Sequence, residues 1–346
     1  MKTILTFCCL FFSLLHGKTY TTFFGDLEIE EQVLIDLIEC PAMQRLKGIH
    51  QYGVAYYTTH QEEYNRFDHS MGVFAILRKN NASLEEQISG LLHDISHTVF
   101  SHVGDWVFGK ECQEEDYQNT IHKLYFCHSG VEKILLAHGY TVNAVQPKSP
   151  EFIMLEQPLP DLCADRIDYN IQGAYYRGFI TKDEALELYS DFRFENGKWI
   201  SSRADLLSKL VYFSIFMSQD CWGSATNYAC SRWLADAILR GIDIGLVSWS
   251  DIHFGVDDDV WQKLAGSNDP HITRWMQMLA NPGPFHRLVS PYEATLMVKF
   301  RYRGIDPLVL YDNAPVRLSS IDSEVAHAFT TVKEKAAIGW PLQFVR

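Results

Sequence analysis

His93 and Asp94 are adjacent in Leu91-Leu92-His93-Asp94-Ile95-Ser96-His97. Another histidine stands in Arg66-Phe67-Asp68-His69-Ser70, and a distant aspartate in Ala164-Asp165-Arg166-Ile167-Asp168-Tyr169. Imidazole nitrogens and carboxylate oxygens brought from separate helices can close around a divalent metal, which polarises water and phosphoryl oxygens. Many hydrolases attack phosphate esters in this way, although the cluster by itself does not name the reaction. His97 follows His93 by four residues and shares its face if the helix continues, with His102 and Asp105 close behind. One histidine on an apolar helix is usually a satisfied core residue, whereas this cluster beside an aspartate reads as a site.

The elements that must carry these residues are mainly helical. Residues 31–38 place Val33, Leu34, Leu37 and Ile38 at helical spacing. Ser83-Leu84-Glu85-Glu86 reads as a capping box that starts a helix running into His93-Asp94, a rigid mount for two ligands. Further helices are expected at 128–138, 182–191, 203–217 and 228–242. Strands look few. Asn196-Gly197 between alternating residues predicts a hairpin over 191–200, and residues 295–302 alternate as a second strand. Along that second strand Lys299, Arg301 and Arg303 form a basic stripe, read as a solvated face. Loops are expected at 146–160 and 281–284, with a soft boundary near 247–259. The expected fold is a mainly α-helical domain over 18–246, with a β-hairpin, followed by a small mixed α/β C-terminal region over 247–346.

A formal net charge of -13 argues against a nucleic-acid polymer as partner, because that affinity comes from clustered Lys and Arg. It leaves a small anionic substrate open, since a bound metal supplies local positive charge. Met1-Lys2, an apolar run over 3–15 and Gly17 outline a signal peptide over 1–17, so an exported chain is expected, with a cytoplasmic one as the alternative. The run is too short for a membrane span, which needs about 20 apolar residues. The later cysteines, Cys40, Cys112, Cys127, Cys163, Cys221 and Cys230, form no CxxC pair and read as buried free thiols.

The segments Arg66–Val73, Gly90–His102 and Asp165–Tyr169, in that order, resemble the HD-domain metal-dependent phosphohydrolase superfamily, and within it the deoxynucleoside triphosphate triphosphohydrolases. The likeness covers roughly 19–242, including Gln44–Gly53. It implies His69, His93, Asp94 and Asp165 as ligands of a divalent iron, manganese, zinc or magnesium ion, with Asp168 as the alternative to Asp165. It implies His97 and His102 in the active site, joined by His122 or, less well spaced, His128. Arg66, Arg166 and Tyr169 match positions that contact phosphate and sugar, and Gln51 one near the sugar edge. Arg66 has Glu62 or Glu63 as a competing partner, and Tyr169 has core packing. The stretch 217–228 departs from the family pattern, which leaves base and triphosphate recognition open.

The expected activity is therefore metal-dependent hydrolysis of a small nucleotide, with triphosphate release favoured. Nucleotide monophosphatase or phosphodiesterase chemistry, and a catalytically silent nucleotide-binding protein, are the alternatives. A homo-oligomer is compatible with this reading.

Overall fold

The structure is a computed structural model that describes residues 17–109 and 116–345. The apolar run over 3–15 and Cys112 lie outside the described residues. The described residues open with a hairpin absent from the expected strands, β1 (Lys18–Thr22) against β2 (Gly25–Ile29), with Lys18 opposite Ile29. Its Thr and Tyr residues favour a pleated surface. Helices follow: α1 (Gln32–Glu39), α2 (Pro41–Arg45), α3 (Val54–Thr59), α4 (Arg66–Lys79) and α5 (Leu84–Leu92). Next come α6 (Val103–Phe108), α7 (Tyr117–Ser129), α8 (Val131–Ala137), α9 (Ala164–Tyr176) and α10 (Lys182–Asp191). The mainly α-helical expectation holds.

The helix starts carry their caps in side chains. Asn65 accepts the Asp68 amide at 2.9 Å to begin α4, and Ser83 accepts that of Glu86 at 3.2 Å to begin α5. The second half of the expected capping box is absent. Glu86 accepts the amides of Met154 and Leu155 at 2.8 and 2.9 Å, so its carboxylate pins the loop over 146–160 to α5. The single helix expected over 128–138 is broken at Gly130, whose φ of 85° ends α7 and begins α8.

The hairpin β3 (Arg193–Glu195) and β4 (Lys198–Ser201) turns at Asn196-Gly197, both at positive φ, as the sequence indicated. Two long helices, α11 (Ala204–Phe216) and α12 (Ala225–Asp243), flank a short π-helical segment at Met217–Cys221. The soft boundary expected near 247–259 is mostly helical, in α13 (Trp249–Phe254) and α14 (Asp257–Ala265), followed by α15 (Pro270–Ala280). A Ser248–Asp251 capping box supplies the start that a reading by composition overlooked.

The strand expected over 295–302 shrinks to β6 (Leu296–Val298), which joins β5 (His286–Leu288) and β9 (Trp340–Phe344) in a sheet of order β5-β9-β6. Residues 299–307 then leave the sheet. β7 (Leu308–Tyr311) pairs in parallel with β4 and antiparallel with β8 (Ala314–Arg317), before α16 (Leu318–Ile321) and α17 (Ser323–Ile338).

α4 is buried from His69 to Leu77 and separates two apolar cores: Met71 and Phe74 face one, and Val73, Ile76 and Leu77 the other. Both cores extend past residue 246, to Leu279 and Val325. α4 packs on α5 and α9. A Cβ at Gly72 would stand 1.8 Å from Oδ1 of Asp168, so only glycine lets α9 approach this closely. Among the described cysteines none is bonded to another: Cys40, Cys163 and Cys230 are buried as expected, while Cys127 is exposed.

Candidate metal centre

Three helix ends meet at one point. His69 comes from the first turns of α4, His93 caps the C-terminus of α5, and Asp165 lies in the first turn of α9. Nε2 of His69 is 3.1 Å from Nε2 of His93 and 3.1 Å from Oδ1 of Asp165, and Nε2 of His93 is 3.7 Å from that oxygen. Donors held at about 2.1 Å around one cation sit roughly 3 Å from one another, so these residues fit a divalent metal. The other ring nitrogens are already engaged: Nδ1 of His69 lies 2.6 Å from Oδ2 of Asp168, and Nδ1 of His93 donates to the Gly90 carbonyl at 2.7 Å. These partners turn both Nε2 atoms toward the common point. Asp168, the alternative ligand in the sequence, orients His69 instead.

The field at this point favours positive charge. Burial lowers the affinity of His69 for a proton, yet the hydrogen bonds its ring donates to Asp165 and Asp168 raise its pKa to about 10. A cation can take up the stabilisation that the proton would otherwise use.

Asp94 stands beside the three donors, its oxygens 3.6 Å from Nε2 of His69 and 3.6 Å from Nε2 of His93. It also binds Nη1 of Arg66 in a very short contact. Burial opposes its charge, but Arg66, His93 and His97 hold its carboxyl well below the usual range. Arg66 thus pairs with Asp94 and not with Glu62 or Glu63, and its Nε donates to Oγ of Ser101 at 2.8 Å. That serine is in a left-handed loop, with φ of 58° at Phe100 and 54° at Ser101. Each such residue costs of order 1–3 kcal/mol. Asp257, at the start of α14, offsets the cost by accepting the Phe100 amide at 2.6 Å and the His50 amide at 2.9 Å.

α5 stops before His93, so His97 reaches the site through turns and not along a continued helix. Its Nε2 is 3.2 Å from Oδ1 of Asp94. Burial, with Arg66 nearby, pushes its pKa down to about 3, which keeps the ring neutral. His102 is more exposed, 5.1 Å from His97 between ring centroids, and its Nδ1 is 3.0 Å from Asp105. His122 is buried with Nδ1 2.8 Å from Oγ of Ser96 and Nε2 without a hydrogen-bond partner. Burial and the charge of His93 lower its pKa to about 4. It is absent from the cavity wall, and His128 lies on the exposed side of α7.

A cavity of about 530 Å³ opens over the cluster. Gln51, Arg66, Arg166 and Tyr169 all line it, as do His97 and His102. Nη1 of Arg166 donates to the carbonyls of Gln157 and Asp161 at 2.6 and 2.9 Å, so part of this side chain anchors the loop behind it. The basic stripe read as a solvated face turns inward: Lys299, Arg301 and Arg303 line the cavity, and Arg301 and Arg303 lie 3.7 and 3.5 Å from Asp116. The sequence reading also overlooked Arg177 and Trp222 on the wall. A basic residue at the end of a helix, and an aromatic in a stretch without a recognised motif, carry no local signal of a cavity.

A fold of packed helices that converge His, His and Asp under a cationic cavity defines a class. The chain belongs to the HD-domain phosphohydrolase family: the HD domain family model matches residues 66–169, which span all three donors. Protein YdhJ of Bacillus subtilis is 31% identical over 89% of this chain and 93% of its own length. Metal-dependent phosphohydrolase cns2 of Cordyceps militaris is 28% identical, over 75% of this chain and 76% of its own. Deoxynucleoside triphosphate triphosphohydrolase SAMHD1 of Danio rerio is 31% identical over 43% of this chain and 27% of its own.

Proposed function

We propose that this phosphohydrolase holds one divalent metal on His69, His93 and Asp165, with Asp94 completing the set, and hydrolyses nucleotides by releasing triphosphate from a deoxynucleoside triphosphate. The observation that carries the reading is the donor cluster under a cavity whose wall holds Arg166, Lys299, Arg301 and Arg303 in a chain of net charge -13. Bound there, an iron, manganese, zinc or magnesium ion supplies Lewis acidity to a phosphoryl oxygen and an activated water at neutral pH. The chain's own residues do the rest. Asp94 binds Arg66 and keeps that guanidinium at the reacting phosphate. Neutral His97, beside Asp94, polarises the scissile phosphate, and His102 at the cavity mouth gives a proton to the leaving oxygen. His122, one layer behind, positions Ser96 and the turn that carries His97. Arg166 and Tyr169 hold phosphate and sugar, and Gln51 the sugar edge.

The extent of the matches supports phosphohydrolase chemistry more broadly than triphosphate release, and nucleotide monophosphatase is the second reading. The relative with a general phosphohydrolase name aligns over 75% of this chain, and the triphosphohydrolase over 43%. Phosphorus NMR of metal-reconstituted protein incubated with a nucleotide panel separates the two. Tripolyphosphate supports the first and inorganic phosphate from monophosphates the second. No phosphorus-containing product with any of the four metals overturns both.

A further inference from the structure

Arg177 ends α9 inside the same cavity, and nothing in the proposed chemistry uses it. Its guanidinium lies over the ring of Tyr52, 5.1 Å from the centroid, and its Nε and Nη1 are buried without a hydrogen-bond partner. The carboxylate whose charge it feels, Glu63, is 3.5 Å from Nδ1 of His50 and takes the Tyr52 amide at 3.4 Å. Three more polar groups on this wall are buried without a hydrogen-bond partner, Nε1 of Trp222, Oε1 of Gln51 and Oη of Tyr52. A half-buried cation with two buried, unsatisfied donors is costly unless a ligand completes it. The group that suits it is an oxyanion, because guanidinium and indole both donate and the Gln51 amide can turn its nitrogen inward.

The placement along α9 says which oxyanion. Asp165, Tyr169 and Arg177 all line the cavity, and twelve residues of helix separate the first from the last, a rise of about 18 Å. Arg177 therefore meets a different part of the substrate from the phosphate held at Asp165. Gly173, between them, is required for this wall: a Cβ there would lie 2.5 Å from Oη of Tyr52 and 2.4 Å from Cζ of Phe213.

We propose that Arg177 and Trp222, with Gln51, form a second phosphate subsite, so that the preferred substrate carries a phosphate group in addition to the one at the metal centre. The proposal deepens the nucleotide reading and rests on it. The second group is a phosphate elsewhere on the sugar, since Gln51 at the sugar edge borders the subsite and the 5′-phosphates fall to Arg166, Lys299, Arg301 and Arg303 on the wall. Equilibrium binding by calorimetry to metal-loaded protein, with a deoxynucleoside 5′-monophosphate, the 5′-triphosphate and a 3′,5′-bisphosphate as probes, tests it. Wild-type protein is expected to prefer the bisphosphate over the monophosphate by tenfold or more, and a preference for the triphosphate alone overturns the subsite. Arg177→Gln should erase most of that preference, Arg177→Lys should keep part of it, and Trp222→Phe should weaken it a few-fold. In turnover the loss should fall on KM more than on kcat. No preference in wild-type protein, or a preference that Arg177→Gln leaves intact, overturns the subsite and leaves Arg177 as a local partner of Glu63. A preference without any turnover keeps the subsite and removes the hydrolase reading instead.

Discussion

Asp168 donates nothing to the donor cluster, yet it decides where His69 points, through the 2.6 Å contact at Nδ1 that leaves Nε2 facing His93 and Asp165. Removing such an orienting partner typically costs ten- to a hundred-fold in metal affinity. Asp168→Asn is therefore expected to weaken divalent-metal binding by roughly that factor while the helices remain. Competition with a fluorescent chelator measures it, and unchanged affinity would show that His69 needs no such support. In the sequence the donors were legible because His69, the His93-Asp94 pair and Asp165 stand in ordered, recognisable surroundings. The resemblance ranked Asp165 ahead of Asp168, but the part Asp168 plays behind His69 was not legible. By residue type alone, two aspartates three residues apart in a sequence are equivalent until packing at Gly72 places one of them against His69.

At the scale of elements, the loop over Phe100 and Ser101 shows a site held by a distant helix. Asp257 accepts two backbone amides from segments that flank Arg66 and the cavity. Asp257→Asn replaces one acceptor oxygen with a donor that faces another N–H. It should destabilise the fold by about 1–3 kcal/mol, read as a lower midpoint in urea unfolding. It should also lower kcat/KM, because Ser101 then no longer fixes Arg66. Unfolding at an unchanged midpoint would remove this clamp from the account. α1, α10 and the β3–β4 hairpin were legible from periodicity and the Asn196-Gly197 turn. β1–β2, α13 and α14 were not, since short elements gain their stability from what they pack against, which local pattern does not contain. The basic stripe at Lys299, Arg301 and Arg303 was visible as charge. Its inward direction depends on β6 ending at Val298.

Over the whole molecule, the C-terminal segment is tied to the helical body by the parallel pairing of β4 with β7 and by Asp161, which binds Lys198 on β4 and Arg317 on β8. Burial works against the Asp161 charge, but Lys198 and Arg317 hold its pKa below the ordinary value. A carboxyl with a depressed folded pKa stabilises the fold above its unfolded pKa, about 4, and loses that contribution as pH falls through the folded value. Asp161→Asn should therefore lower stability by about 1 kcal/mol at neutral pH, with the gap to wild-type protein closing in acid. A gap independent of pH would show that the pair does not act through charge. The donors that α4, α5 and α9 bring together define the site, and metal content tests them directly. Apo protein titrated with Mn²⁺ should bind one ion per chain at the site, whereas His93→Ala and Asp165→Ala, still helical by circular dichroism, should lose it together with phosphate-ester hydrolysis. Stoichiometric metal retained when His93→Ala and Asp165→Ala are combined in one chain would contradict the assignment.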